Sequence, residues 1–320
     1  MSRVAAIDCG TNSIRLLVAD IELGHEQASL AGRASHAARP TLRELTRRME
    51  IVRLGAGVDR TGELAPEALE RTFAALRDYA AEIDRLGAMS VRMVATSATR
   101  DARNRAELVD GVRAILGVDP EVISGDEEAA LSYAGAAAEL PDAARPLLVA
   151  DIGGGSTELV LGDASGVLAA RSVNVGCVRM AERHFRSDPP NPAEAAAIVA
   201  DVHAALDLAE EVVPIREAAT LVGVAGTVTT VAALAAGLPE YDSERIHLLS
   251  TPAEAVAEVT EKLLAMTHAE RAALAVMHPG RVDVIAAGAL VLRTLVERVG
   301  LAAVIASERD ILDGIAFSQA

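Results

Sequence analysis

The chain has 320 residues, 51% of them apolar, so it has material for two domains and a disordered chain is excluded. Its formal charge of −16 is the wrong sign for a general nucleic-acid binder, and three Tyr, three Phe and no Trp leave little to stack bases on. Of 30 basic residues only Lys262 is a lysine, which excludes a P-loop and leaves anion binding to arginines and backbone amides.

In chain order, the first 22 residues read as two strands, VAAID and IRLLVAD, about the turn CGTNS. Met1-Ser2-Arg3 runs straight into the first strand with no signal peptide, and Cys9 and Cys177 are too few for a disulfide scaffold. Both features point to a cytoplasmic protein. Residues 31–50 are basic and irregular and read as a loop or hairpin, followed by a short strand, IVRLG. Pro66 opens a helix that stops at Gly87. VRMVATSAT reads as a strand, Asn104 with Glu107 as the capping-box start of a helix ending at Gly117, and EVIS as a short strand. A helix from Asp126 to about Glu139 and a turn-rich connector at 141–146 lead into LLVADIGGGSTELVLGD, again strand, glycine turn, strand. SDPPNP is a loop, and Asn191-Pro192 starts a helix reaching about Val213.

Ala218 to Pro239 carries no charge, but Gly223, Gly226, Gly237, Thr227, Thr229 and Thr230 make it strand, turn and buried helix rather than a membrane span. Helix starts follow at Thr251-Pro252 with Glu254 and at Thr267 with Glu270. The end reads as a helix over about 283–299, a strand LAAVIAS and a last helix over about 308–318. Alternating strands and helices make the class α/β.

An internal repeat organises the chain. Asp8-Cys9-Gly10-Thr11-Asn12-Ser13 aligns with Asp151-Ile152-Gly153-Gly154-Gly155-Ser156, each between two apolar strands, close to half a chain apart. The spacing predicts a duplicated domain with a cleft between the copies. Glycine lets a turn close tightly around a ligand, and successive amides form an anion nest. Thr11, Asn12, Ser13, Ser156 and Thr157 add side-chain donors. Asp8 and Asp151, each ending a leading strand, suit Mg²⁺ or its waters beside such a nest. A third turn, Gly223 to Thr227, passes from strand to helix, and Gly226 and Thr227 fit the same cradle. Each turn taken singly also reads as a plain hairpin or strand-to-helix turn.

The motifs DCGTNSIRLLVAD, VRMVATSATRDARN, VISGDEEAALSYAG, DIGGGSTELVLG, VGCVRMAER, GVAGTVTT and PGRVDVIAAGALVL together resemble the exopolyphosphatase / guanosine pentaphosphate phosphohydrolase family, in its short form. The resemblance covers essentially the whole chain. It implies two duplicated actin-like ATPase-type (ribonuclease H-like) domains, 1–125 and 126–320, with the final helix packing back on the first. It also implies a homodimer, for which Val284–Leu295 is either a surface or core.

The resemblance places the catalytic glutamate at Glu128. The helix start agrees: Ser124 and Glu127 form a capping box and Asp126 complements the dipole, which leaves Glu128 without a structural task. The resemblance also assigns Asp151 and Glu158 to Mg²⁺ and the attacking water. Arg15 stands where Glu158 stands in the second copy, so Arg15 and Arg100 are the phosphate-binding candidates, against a reading as surface cations.

Arg33, Arg39, Arg43, Arg47, Arg48 and Arg53, with His36 among them, form either a solvated face or a track for a polyanion. Arg179 and Arg281 lie in family-like motifs and are open to a salt-bridge reading. The histidines show no metal-ligand spacing. Cys9 reads as packing beside its turn, and Ser13 and Ser156 lack a His/Asp partner for covalent catalysis.

The expected reaction is Mg²⁺-dependent hydrolysis of the terminal phosphoanhydride of inorganic polyphosphate, with Glu128 as general base. Amides of residues 10–13, 153–156 and 226–227 would hold the phosphates. Guanosine pentaphosphate is the alternative substrate. A kinase of the same superfamily and a non-enzymatic guanine-nucleotide regulator are the other classes, with neither nucleic acid nor membrane as a partner.

Overall fold

The computed structural model describes residues 2–22, 41–140 and 142–320. Arg33, His36 and Arg39 therefore lie outside the described residues. The first sheet contains β1 (Ser2–Cys9), β2 (Ser13–Glu22), β3 (Thr41–Ile51), β4 (Ser90–Ala95) and β5 (Glu121–Val122), in the order β3-β2-β1-β4-β5. The second contains β6 (Leu147–Ile152), β7 (Thr157–Asp163), β8 (Gly166–Val173), β9 (Thr220–Val224), β10 (Leu249–Pro252) and β11 (Ala303–Ala306), in the order β10-β11-β9-β6-β7-β8. Each starts with three antiparallel strands and continues with parallel ones. The second sheet thus repeats the first and adds the antiparallel edge strand β10.

The sequence repeat coincides with this topological repeat. Asp8 pairs with Arg15 across the first hairpin, and Asp151 with Glu158 across the second. Both turns close in the same way: Gly10 N donates to Ser13 O, and Gly153 N to Ser156 O, each at 3.0 Å.

Two helices tie the halves together. The Gly125–Ala138 helix leaves the first sheet but packs on β6, β7 and β8. The Ile311–Phe317 helix leaves the second and packs on β1, β2 and β4, as the sequence expects of the final helix. They meet backbone to backbone. A Cβ at Gly135 would stand 2.8 Å from the Asp310 carbonyl carbon, and one at Gly314 2.7 Å from that of Leu131. Only glycine tolerates that approach.

Several local expectations are corrected. Of the loop and hairpin readings of 31–50, the described part favours the second: 41–51 is an edge strand antiparallel to β2, with Leu42 and Leu45 packing inward and its arginines blunting the edge. The strand at VRMVATSAT stops at Ala95, and Ser97–Asp101 is helical. Asn104 does not cap its helix, because its side chain bonds both backbone groups of Leu64 instead. Ser124 caps through Glu127 N, but the Glu127 carboxylate binds Arg92 rather than closing the box. Ala218 to Pro239, by contrast, supplies the expected strand and buried helix, β9 and Ala225–Ala235. Among the described residues no helix is long and apolar enough to cross a membrane. The Ile285–Val299 helix is almost wholly buried in the second core, so the stretch at 284–295 is core, not a free surface.

Candidate active site

The two hairpin turns face each other across the junction of the halves. Cβ atoms at Gly154 and Gly155 would come within 2.9 Å of Thr11, so the turns are in glycine-dependent contact. Thr11 Oγ1 and Ser97 Oγ are hydrogen bonded at 2.9 Å beside them. The third turn enters at Ala225, whose φ of +68° is an uncommon left-handed conformation for a residue with a Cβ.

These turns enclose a cavity of about 100 Å³. Asp8, Gly10, Thr11, Asn12, Ser13 and Arg15 line it from the first turn, and Asp151, Gly153, Gly154 and Ser156 from the second. Gly226 and Thr227 line it from the third, and Glu128 from the helix start. Three expected residues stand behind the wall. Gly155 faces Thr11 and Ser97. Glu158 is buried and accepts from Ser172 Oγ at 2.7 Å. Arg100 donates through Nη1 to Glu128 Oε2 at 3.1 Å and to the Ile123 carbonyl at 2.9 Å.

Arg15 reaches the cavity, but its guanidinium is committed to acids. Nη2 and Nε donate to Asp8 Oδ2 at 2.6 and 3.0 Å, and Nη1 donates to Asp310 Oδ2. Ser132 Oγ donates to Asp151 Oδ2 at 2.6 Å. Asp310, Ser132 and Ser172 were not singled out from sequence. Asp310 is readable as a helix cap before Ile311, and it does accept from Leu312 N, but its pairing with Arg15 spans nearly the whole chain.

The site is dense in buried carboxylates, and this raises their pKa values. Burial, then the neighbouring Asp310, lifts Asp151 to about 6. Burial and Asp151 lift Glu158 to about 8. Burial and Glu158 push Glu128 well above the usual range despite Arg100. Asp8 is also raised by burial, against the pull of Arg15. Such a cluster suits a hard divalent cation, and Asp8 Oδ1 is buried with no hydrogen-bond partner. Among the described residues no three acids or histidines form a ready metal cage. Asp8 and Asp151 are hard oxygen donors of the kind Mg²⁺ takes alongside water.

Residues 33–320 match the profile of the Ppx/GppA phosphatase family. The chain belongs to that family. It is 49% identical to exopolyphosphatase 2 of Mycobacterium tuberculosis, over all of this chain and 99% of that protein. The crystal structure of an exopolyphosphatase-like protein superposes with a TM-score of 0.91 at 42% identity, covering 99% of this chain and 98% of the other. The Ppx/GppA member from Aquifex aeolicus superposes at 0.77 and 28% identity, covering 99% and 97%. The fold is thus the two-domain actin-like arrangement of Ppx/GppA proteins, and the chain is a phosphatase.

The remaining cations of this Ppx/GppA chain divide sharply. Arg43 pairs with Asp20, Arg47 with Glu44 and Asp313, Arg48 with Glu50, and Arg53 with Asp283. The described part of the basic segment is therefore a paired face, not an open polyanion track. Arg179 pairs with Asp59 and Asp101, bridging the halves. Arg281 has no carboxylate partner among the described residues. Cys9 is buried, and burial pushes its thiol up, so it packs rather than reacts.

Proposed function

We propose that this phosphatase is a Mg²⁺-dependent exopolyphosphatase that removes the terminal phosphate of inorganic polyphosphate. The observation that carries this is the convergence of three glycine-containing turns on one cavity with Glu128 in its wall. Amides at 11–13, 154–156 and 226–227 hold the phosphates, while Gly10 N and Gly153 N close their own turns. Glu128, held by Arg100, orients a water and takes its proton during in-line attack on the terminal phosphorus. Ser132 and Ser172 fix Asp151 and Glu158. Asp8, Asp151 and, through water, Glu158 would hold Mg²⁺, which supplies charge neutralisation on the phosphate oxygens. Domains 1–125 and 126–320 shield the reaction from bulk water by closing on the chain end.

A second reading has its own observation. An adjoining cavity of about 420 Å³ is lined by Tyr241, Met277 and Val276. It supplies the aromatic surface that the composition makes scarce, and it suits the nucleoside of guanosine pentaphosphate.

The test is phosphate release from long polyphosphate, tripolyphosphate, guanosine pentaphosphate and ATP, with and without Mg²⁺. Polyphosphate is expected to be the best substrate, and Glu128→Gln to lower turnover by about 10²–10⁴-fold. A Glu128→Gln protein with native turnover refutes the mechanism. Preference for guanosine pentaphosphate selects the second reading.

A further inference from the structure

A separate cavity of about 250 Å³ opens behind Glu128. Arg100, Arg171, Ser172 and Asn174 line it, with Gly125 and Asp126 from the start of the helix that carries Glu128. It shares no lining residue with the active-site cavity or with the larger cavity beside that one. Two side-chain contacts form the partition between it and the reaction centre. Arg100 lines it and donates to Glu128 at 3.1 Å. Ser172 lines it and donates to Glu158 at 2.7 Å.

The lining suits a small anion. Arg171 is exposed and has no carboxylate partner among the described residues. Arg100 has Glu128 alone. Guanidinium forks match phosphate oxygens, and Asn174 adds an amide donor. Asp126, the one acid in the lining, limits how tightly an anion is held.

The direction of the reaction says what this anion is. In-line displacement puts the attacking water and the leaving chain on opposite faces of the terminal phosphorus. The water oxygen bonds to phosphorus, its proton goes to Glu128, and the bridging oxygen departs with the bond's electron pair on the shortened chain. Glu128 therefore marks the face away from the chain, and the new phosphate is left on that face. The other face opens to the larger cavity, which adjoins the active site along Met49, Ala225 and Gly226. A chain that remains bound obstructs that way out.

We propose that the cavity behind Glu128 is an exit port and transient binding site for the product, inorganic phosphate, with Arg100 and Arg171 as its cations. This rests on the polyphosphate reading of the site. Arg100 serves both sides of the partition, holding Glu128 before hydrolysis and meeting the phosphate after it. Arg171 and Asn174 draw it on to solvent, so the shortened chain need not dissociate between turnovers.

The test separates phosphate formed from phosphate released on long polyphosphate in Mg²⁺. Acid quenching reads the first, and a fluorescent phosphate-binding sensor reads the second. In Asn174→Trp, which plugs the port, release is expected to lag formation about tenfold, with a burst of one phosphate per site. In Arg171→Gln the inhibition constant of added inorganic phosphate should rise about tenfold, as for one lost charge-assisted hydrogen bond. In the native protein that inhibition should not be competitive with polyphosphate. Release that keeps pace with formation in Asn174→Trp, or an unchanged inhibition constant in Arg171→Gln, overturns the inference and leaves the polyphosphate reading standing. If Asn174→Trp does not fold, the inhibition constant in Arg171→Gln decides. A native protein that forms no phosphate from polyphosphate refutes the polyphosphate reading, and this inference with it.

Discussion

Substituting Gly314 by Ala perturbs the place where the two crossing helices touch through bare backbone. The new Cβ would stand 2.7 Å from the Leu131 carbonyl carbon and 3.0 Å from its Cα, and nearer still to the oxygen. The Gly125–Ala138 and Ile311–Phe317 helices must separate until the contact relaxes toward an ordinary 3.4 Å. Neither side offers a flexible side chain to absorb the shift. Alanine gains about 1 kcal/mol over glycine in a helix interior. Overpacking costs about 1–3 kcal/mol and occasionally more, and a backbone carbonyl puts this case at the upper end. The net loss is about 2 kcal/mol, or a Tm lower by roughly 4–8 °C. The shift also reaches the active site. Asp310 lies one turn before Gly314 and accepts from Arg15, which in turn holds Asp8. Calorimetric melting and phosphate release measured on the same preparation provide the assay. Both should fall, and Gly135→Ala should behave alike. A Gly314→Ala protein that melts at or above the native temperature and retains its turnover would show that the helices do not meet as described.

Two further predictions follow from single contacts. Ser132→Ala removes the hydroxyl that holds Asp151 Oδ2, so kcat/KM should fall about tenfold and the Mg²⁺ concentration for half-maximal rate should rise. An unchanged Mg²⁺ dependence would remove Ser132 from that role. Asp20 is buried, and its hydrogen bond to Arg3, helped by Arg43, holds it below the usual carboxylate range. A depressed native pKa contributes stability that is present above the unfolded value of about 3.9 and is lost as pH falls through the folded value. Asp20→Asn should therefore melt lower than the native chain at pH 7, and the gap should close as the pH drops below about 4. A gap independent of pH would refute the linkage.

The parts of the site legible in the sequence share one property: they are local. The Asp8 and Asp151 turns are short, and glycine spacing encodes their conformation directly. Glu128 comes from the family resemblance, with which the helix start at Ser124 agrees, although Glu127 serves Arg92 rather than the cap. The strand at 41–51 stays open between loop and hairpin in the sequence because an edge strand with charged side chains lacks strict alternation, and its pairing with β2 crosses residues 23–40. The roles of the arginines were not legible at all. Arg15 and Arg100 read as phosphate candidates and Arg179 and Arg281 as open to salt bridges, and only contacts between distant residues show which of them carry carboxylate partners.

The sequence by itself determined the α/β class, the duplication and the three glycine-containing turns, because strand periodicity and glycine turns act over a few residues. Its family motifs also determined membership among the Ppx/GppA proteins. Tertiary structure decided which charges remain available. The net charge of −16 says only that acids outnumber bases, whereas folding pairs most cleft arginines with specific carboxylates and, among the described residues, leaves Arg281 without one. That partition depends on which halves of the chain the two crossing helices bring together. It is a long-range outcome of packing that no local pattern encodes.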